Sequence, residues 1–141
     1  MLNVAIRNIM RPEQAIQLPP EASVFDAAKL MAAANIGAVM IVEHEALKGI
    51  FTERDLMCRV LVTELDPKAT RLAEVMTPNP RTVSPEKSYG HALVMMQENG
   101  FRHAPVIENG KPIGIISARN AMDPDLEEFA AEVYRRESLR K

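Results

Sequence analysis

Two short polar motifs in a largely apolar chain carry the residues that could do chemistry. Gly49-Ile50-Phe51-Thr52-Glu53-Arg54-Asp55 recurs 65 positions later as Gly114-Ile115-Ile116-Ser117-Ala118-Arg119-Asn120. Each copy sets a hydroxyl residue, Thr52 or Ser117, three positions ahead of a short acceptor, Asp55 or Asn120, where an apolar strand runs into a helix. A helix start can hold an anion, because its first amides are unpaired and carry partial positive charge. A carboxylate there can accept from two adjacent hydroxyls, such as those of a ribose. A purely structural explanation also fits: Thr at the N-cap with an acid three residues on approximates a capping box, worth about 0.5–2 kcal/mol. The two uses are compatible.

The elements that must position these motifs repeat with them. Pro20-Glu21-x-Ser23 matches Pro85-Glu86-x-Ser88, Ala27 matches Ala92, Met31 matches Met96 and Met57 matches Met122. Ile9-Met10-Arg11-Pro12 matches Val75-Met76-Thr77-Pro78 with a one-residue slip. The period is too long for a solenoid, so each copy is a small α/β unit. The chain divides into repeat one (1–65), repeat two (66–122) and a tail (123–141).

Within a unit, a brief extended stretch (Ala15–Leu18; Arg81–Val83) leads to a helix capped by Ser23 or Ser88, whose hydroxyls can accept from orphan amides. Asp26 resembles a capping-box partner for Ser23. Val24, Ala27, Ala28, Met31 and Ala34 follow helical spacing, as do Ala92, Met95 and Met96. Asn35-Ile36-Gly37 and Asn99-Gly100 supply the stops. Two apolar strands follow, Ala38–Val42 with Leu47–Thr52 and Ala104–Ile107 with Ile113–Ser117; Asn109-Gly110 is a strong hairpin signal. Pro105 suits a strand start or edge. Second helices are expected after Thr52 and Ser117. In the tail, Asp123 can cap a helix with Pro124 at its first position. Leu126, Phe129, Ala130 and Val133 form its apolar stripe, and Arg135, Arg136, Arg140 and Lys141 suit its end.

The chain has 141 residues, 47% of them hydrophobic, and lacks Trp, so its core is aliphatic and Met-rich. No stretch approaches the roughly 20 apolar residues that span a bilayer, and Met1–Arg7 lacks a signal-peptide layout. The single cysteine, Cys58, fits a reducing cytoplasm and reads as a buried apolar residue. A formal charge of −2 gives no electrostatic reason to expect nucleic-acid binding. His44, His91 and His103 show no metal-ligand spacing, and no Gly-rich phosphate loop or nucleophile–base constellation is present. The expectation is of a protein that is not an enzyme, needs no cofactor and contacts no membrane.

Tandem strand–helix–strand–strand–helix units, with Val75-Met76-Thr77-Pro78 opening the second, Phe101-Arg102-His103-Ala104-Pro105-Val106-Ile107 before a hairpin and Gly114–Asn120 after it, closely resemble a CBS-domain pair across residues 1–122. The resemblance implies an α/β (α+β) fold: two pseudo-twofold-related β-α-β-β-α repeats packed through their sheets, followed here by a C-terminal helix. It implies clefts between repeats that commonly bind AMP, ADP, ATP, NAD(H) or S-adenosylmethionine, and modules that often pair, making a homodimer through the CBS helices. By position, Thr52 and Asp55 match the family's phosphate- and ribose-contacting pair, with Arg54 between them. Ser117 and Arg119 match in repeat two, but Asn120 replaces the acid and loses charge-assisted strength. Arg102 and His103, followed by Pro105, match positions where members place basic residues facing phosphates; repeat one has Gly37 and Ala38 there. Thr82 lies in the loop before the helix, another ligand-touching position, with Gln17 as its counterpart. The function implied is a regulatory sensor of an adenosine-containing ligand that signals to an unidentified effector protein. A ligand-independent dimerisation or scaffold module is the alternative. Whether the Asp55 acceptor and the Arg102-His103 cations meet in one cleft is left open by the sequence.

Overall fold

A computed structural model describes residues 2–122 and 124–139. Asp123, Arg140, Lys141 and the side chains of Leu126, Phe129, Ala130 and Val133 lie outside the described residues. The first helix, α1 (Val24–Ala34), starts where Ser23 Oγ accepts from the Asp26 amide at 3.0 Å. Asp26 does not complete a capping box; its carboxylate lies 3.5 Å from Lys29 Nζ, drawn to the cation one turn on. Asn35 stops α1 in the left-handed conformation, and its N–H donates to the Ala32 and Met31 carbonyls.

Repeat one contributes β1 (Gln17–Leu18), β2 (Ala38–Glu43) and β3 (Ala46–Thr52). β1 runs parallel to β2, and β2 pairs antiparallel with β3. Thr52 passes the chain into α2 (Glu53–Asp55), which widens into a π-helix over Leu56–Leu61. A short helix, α3 (Leu72–Val75), precedes β4 (Thr77–Pro78), which completes a four-stranded sheet against β3. In repeat two, Ser88 caps α4 (Tyr89–Asn99) by accepting from the His91 amide at 3.1 Å, and β5 (His103–Glu108) pairs antiparallel with β6 (Lys111–Ser117). The turn between them holds Asn109 and Gly110 at positive φ, as Asn-Gly requires.

Two expected elements come out shorter or different, and Pro105 sits at a strand edge as expected. Arg81–Val83 is a single parallel bridge of Val83 to Val106, because Pro80 and Pro85 on either side cannot donate to a ladder. Pro105 is the third residue of β5; its carbonyl accepts from Val83 at 3.0 Å, so its missing amide falls on the edge away from β6. Ser117 leads into a 3₁₀-helix, Ala118–Met122, and α5 (Pro124–Leu139) follows. Pro124 has no amide to give residue 120, so an α-helical ladder cannot run through it.

The cores cut across the repeat boundary. Leu72 and Val75 pack with Val24, Ala27, Val39 and Phe51 of repeat one. Val4, Ile6 and Ile9, at the start of repeat one, pack with Val83, Tyr89, Ala92 and Val106 of repeat two. Backbone bonds follow the same exchange: Leu72 N–H to Ala22 O at 2.9 Å, and Tyr89 N–H to Val4 O at 2.8 Å. A third cluster, Ala38, Met40, Ile50 and Ile115, joins the two sheets face to face.

Two glycines make the exchange possible. A Cβ on Gly49 would stand 2.5 Å from Met76 Sδ and 2.8 Å from the Thr77 carbonyl oxygen; one on Gly114 would stand 2.7 Å from Met10 Sδ. Gly49→Ala should therefore lower unfolding free energy by about 1–3 kcal/mol in urea titrations, because backbone must move. Gly114→Ala should cost less, since a flexible thioether can yield. Equal losses would contradict this assignment of the crowding.

Candidate functional site

The strand–helix junction of repeat one forms a complete capping box. Thr52 N–H donates to Asp55 Oδ2 at 3.0 Å, and Asp55 N–H donates to Thr52 Oγ1 at 3.1 Å. Asp55 Oδ1 lies 3.5 Å from Arg59 Nε, and the Asp55 side chain stays 13% exposed. Arg59 is itself anchored by donating to the Val75 and Met76 carbonyls. In repeat two, Ser117 N–H donates to Asn120 Oδ1 at 2.8 Å and Asn120 is buried. Both side chains accept in their caps, but Asn120 is buried while Asp55 stays partly exposed. Tyr89 OH braces this second junction by donating to Ser117 O at 2.7 Å, and burial pushes the phenol up to about 12.

Two clefts lie between the repeats. The larger, about 810 Å³, is walled by Thr52, Arg54, Asp55, Met57 and Cys58 from repeat one. Opposite stand Thr77, Asn79, Pro80 and Arg81, with Gly100 to His103 closing it. Its volume falls within the roughly 300–1,000 Å³ of small-molecule sites. The smaller, about 320 Å³, is lined by Gln14, residues 35–38, Glu53, Arg102, His103, residues 115–119 and Met122.

The Asp55 carboxylate of one repeat and the Arg102-His103 pair of the other therefore line a single cavity. Ser117 and Arg119 line the smaller cleft; Thr82, Pro105 and Asn120 line neither. Arg81, one residue before Thr82, does line the larger cleft and was missed, as was Glu53. The rigid Pro78-Asn79-Pro80 run ahead of Arg81 was the available signal, since it fixes where the next side chain emerges. Cys58 corrects another expectation: it is exposed and faces the larger cleft. Leu56 and Val60, four residues apart, hold the core face, and Cys58 falls midway between them on the opposite side.

Arg102, His103 and Glu53 wall both clefts. Glu53 Oε1 and His103 Nε2 each lie 3.1 Å from where a Cβ on Gly37 would sit, so glycine there leaves room for the pair. Burial lowers the His103 pKa, Arg102 adds to the effect, and Glu53 opposes it. The cleft at neutral pH thus presents a neutral imidazole beside a permanent cation. Among the described residues no group of His, Cys, Asp and Glu is placed to hold a metal, and no helix is long and apolar enough to cross a membrane.

The CBS domain pattern matches residues 6–61 and 72–124; the chain belongs to the CBS domain family and carries a tandem pair. The mitochondrial CBS domain-containing protein CBSX3 of Arabidopsis thaliana is 35% identical over 118 residues, 80% of this chain and 57% of that protein. Other Arabidopsis relatives are far longer, and the chain spans only 19% and 20% of two of them. A solved protein with CBS domains from Burkholderia ambifaria MC40-6 superposes with a TM-score of 0.78 at 35% identity, covering 84% of this chain and 91% of that one. A CBS domain protein from Pyrobaculum aerophilum, solved complexed with AMP, shares the fold at TM-score 0.77 and 21% identity, covering 91% of this chain and 99% of that one.

Because folding lowers the His103 pKa, its contribution to stability is present above the ordinary histidine range and fades as pH falls from about 6.5 toward the lowered value. Thermal melts between pH 7.5 and 5 should show His103→Gln losing less stability on acidification than the parent. A parallel decline would show that the imidazole is no more burdened folded than unfolded.

Proposed function

We propose that the chain is a regulatory module binding an adenosine-containing ligand in the larger cleft, with the ribose at Asp55 and phosphate toward Arg102 and His103. The observation that carries this is the meeting of Thr52 and Asp55 with Arg102 and His103 around one cavity. The AMP held by the Pyrobaculum relative supports the ligand class. Ligand contacts both repeats, so any difference in its affinity for two arrangements of them shifts their balance. That shift is the signal an effector protein would read. The exposed, unbridged Cys58 suits the reducing cytoplasm as its compartment.

Calorimetric titration with AMP, ADP, ATP, NADH and S-adenosylmethionine tests the reading directly. Asp55→Asn should keep the cap, because Asn120 already accepts the equivalent amide bond in repeat two, while weakening ribose binding by about tenfold through loss of a charged acceptor. Saturable binding that Asp55→Asn leaves untouched would move the ligand elsewhere. No binding at millimolar ligand would favour the scaffold reading.

The homodimer rests on Leu30, Met57, Leu61 and Val62, which are 40–71% exposed on α1 and on the helical segment after Thr52. Burying such side chains contributes about 1.5–3 kcal/mol each. Light scattering should give twice the 15.7 kDa chain mass, and Leu61→Glu with Val62→Lys should give monomer. A monomeric parent protein would overturn this part.

A further inference from the structure

The arginines differ in how their charge is met. Arg7 meets Glu86 and Glu108, Arg59 meets Asp55, Arg71 meets Glu74, and Arg135 and Arg136 meet Glu132. Arg54, Arg81, Arg102 and Arg119 all line the clefts, and among the described residues none of these four guanidinium groups has an ion pair or hydrogen bond. Three of them, Arg54, Arg81 and Arg102, share the larger cleft, delivered by three separate segments of chain.

Like charges gathered in one concavity repel, and their shared field favours an anionic ligand. The acids on the same wall do not cancel them. Asp55 accepts from Thr52 N–H and neighbours Arg59, and Glu53 stands beside His103 at Gly37, on the wall shared with the smaller cleft. A guanidinium fork is matched by a pair of phosphate oxygens. A single phosphate carries at most about two negative charges at neutral pH, so three such cations are matched by a chain of two or three phosphates.

Building on the nucleotide-binding reading, we propose that the larger cleft grades its ligands by phosphate charge. Arg54 and Arg81 are the residues that select a nucleoside di- or triphosphate over a monophosphate, and over a nucleoside bearing a cationic sulfonium. Arg102, nearest the shared wall, takes the phosphate that all the nucleotides have in common.

Calorimetry on the full chain with AMP, ADP, ATP and S-adenosylmethionine, in magnesium-free buffer at constant ionic strength, tests this. ADP and ATP should bind at least about tenfold more tightly than AMP, the gain from one added charged contact, and S-adenosylmethionine more weakly than AMP. In the Arg54→Gln, Arg81→Gln double variant, affinity for ATP should fall by more than affinity for AMP, until the two bind about equally. Both side chains are exposed, so matching thermal melts will confirm an intact fold. Equal affinities for the three nucleotides, or an ATP preference that survives in the double variant, would overturn the grading and leave the nucleotide site standing. Absence of binding by every nucleotide would overturn both the grading and the reading beneath it.

Discussion

Everything in this molecule depends on an exchange of short segments between two similar halves. The opening residues of each repeat fill the core of the other: Ile6 and Ile9 close repeat two, and Leu72 and Val75 close repeat one. Each of these aliphatic side chains removed from water contributes roughly 1.5–3 kcal/mol, so neither half has a complete core by itself. The exchange needs close approach at two points, where Met10 and Met76 lie against glycines whose Cβ atoms would collide with them. Bonds such as Leu72 N–H to Ala22 O fix the register of the crossing.

The clefts are a consequence of that packing. The segment crossing to repeat one ends in β4 on the edge of its sheet, and the next residues, Asn79 to Arg81, become a wall of the larger cleft. The start of α2 lines the same cleft, and there the capping box holds Asp55 in place with its carboxylate partly exposed. The helix cap and the candidate ligand contact are one arrangement, since the bonds that end the strand also orient the acceptor.

The two junctions match in sequence and are not equivalent in space. Asn120 is buried and spends its carbonyl oxygen on the Ser117 amide, while Tyr89 ties the Ser117 carbonyl to α4. Repeat two has no carboxylate at its junction and supplies the Arg102 cation and the His103 imidazole instead. Arg102 and His103 stand at the boundary of both clefts, which gives the cavities a common polar wall and unequal chemistry on either side of it.

The sequence by itself determined what local chemistry decides. Ser23, Thr52 and Ser88 cap helices because their hydroxyls lie within reach of the amides three residues on. Asn109-Gly110 turns a hairpin because both residues accept positive φ, and the 65-residue repeat announced two like units. Contacts between residues distant in the chain were decided only by the tertiary structure. Sequence spacing could not show that residues 4–10 serve the second core, nor that Arg81 and not Thr82 faces the cleft. It also could not show that Cys58 turns outward opposite Leu56 and Val60. A propensity or a cap acts over three or four residues, and the larger cleft is built from segments up to about fifty residues apart, brought together by apolar burial that has no sequence signature of its own.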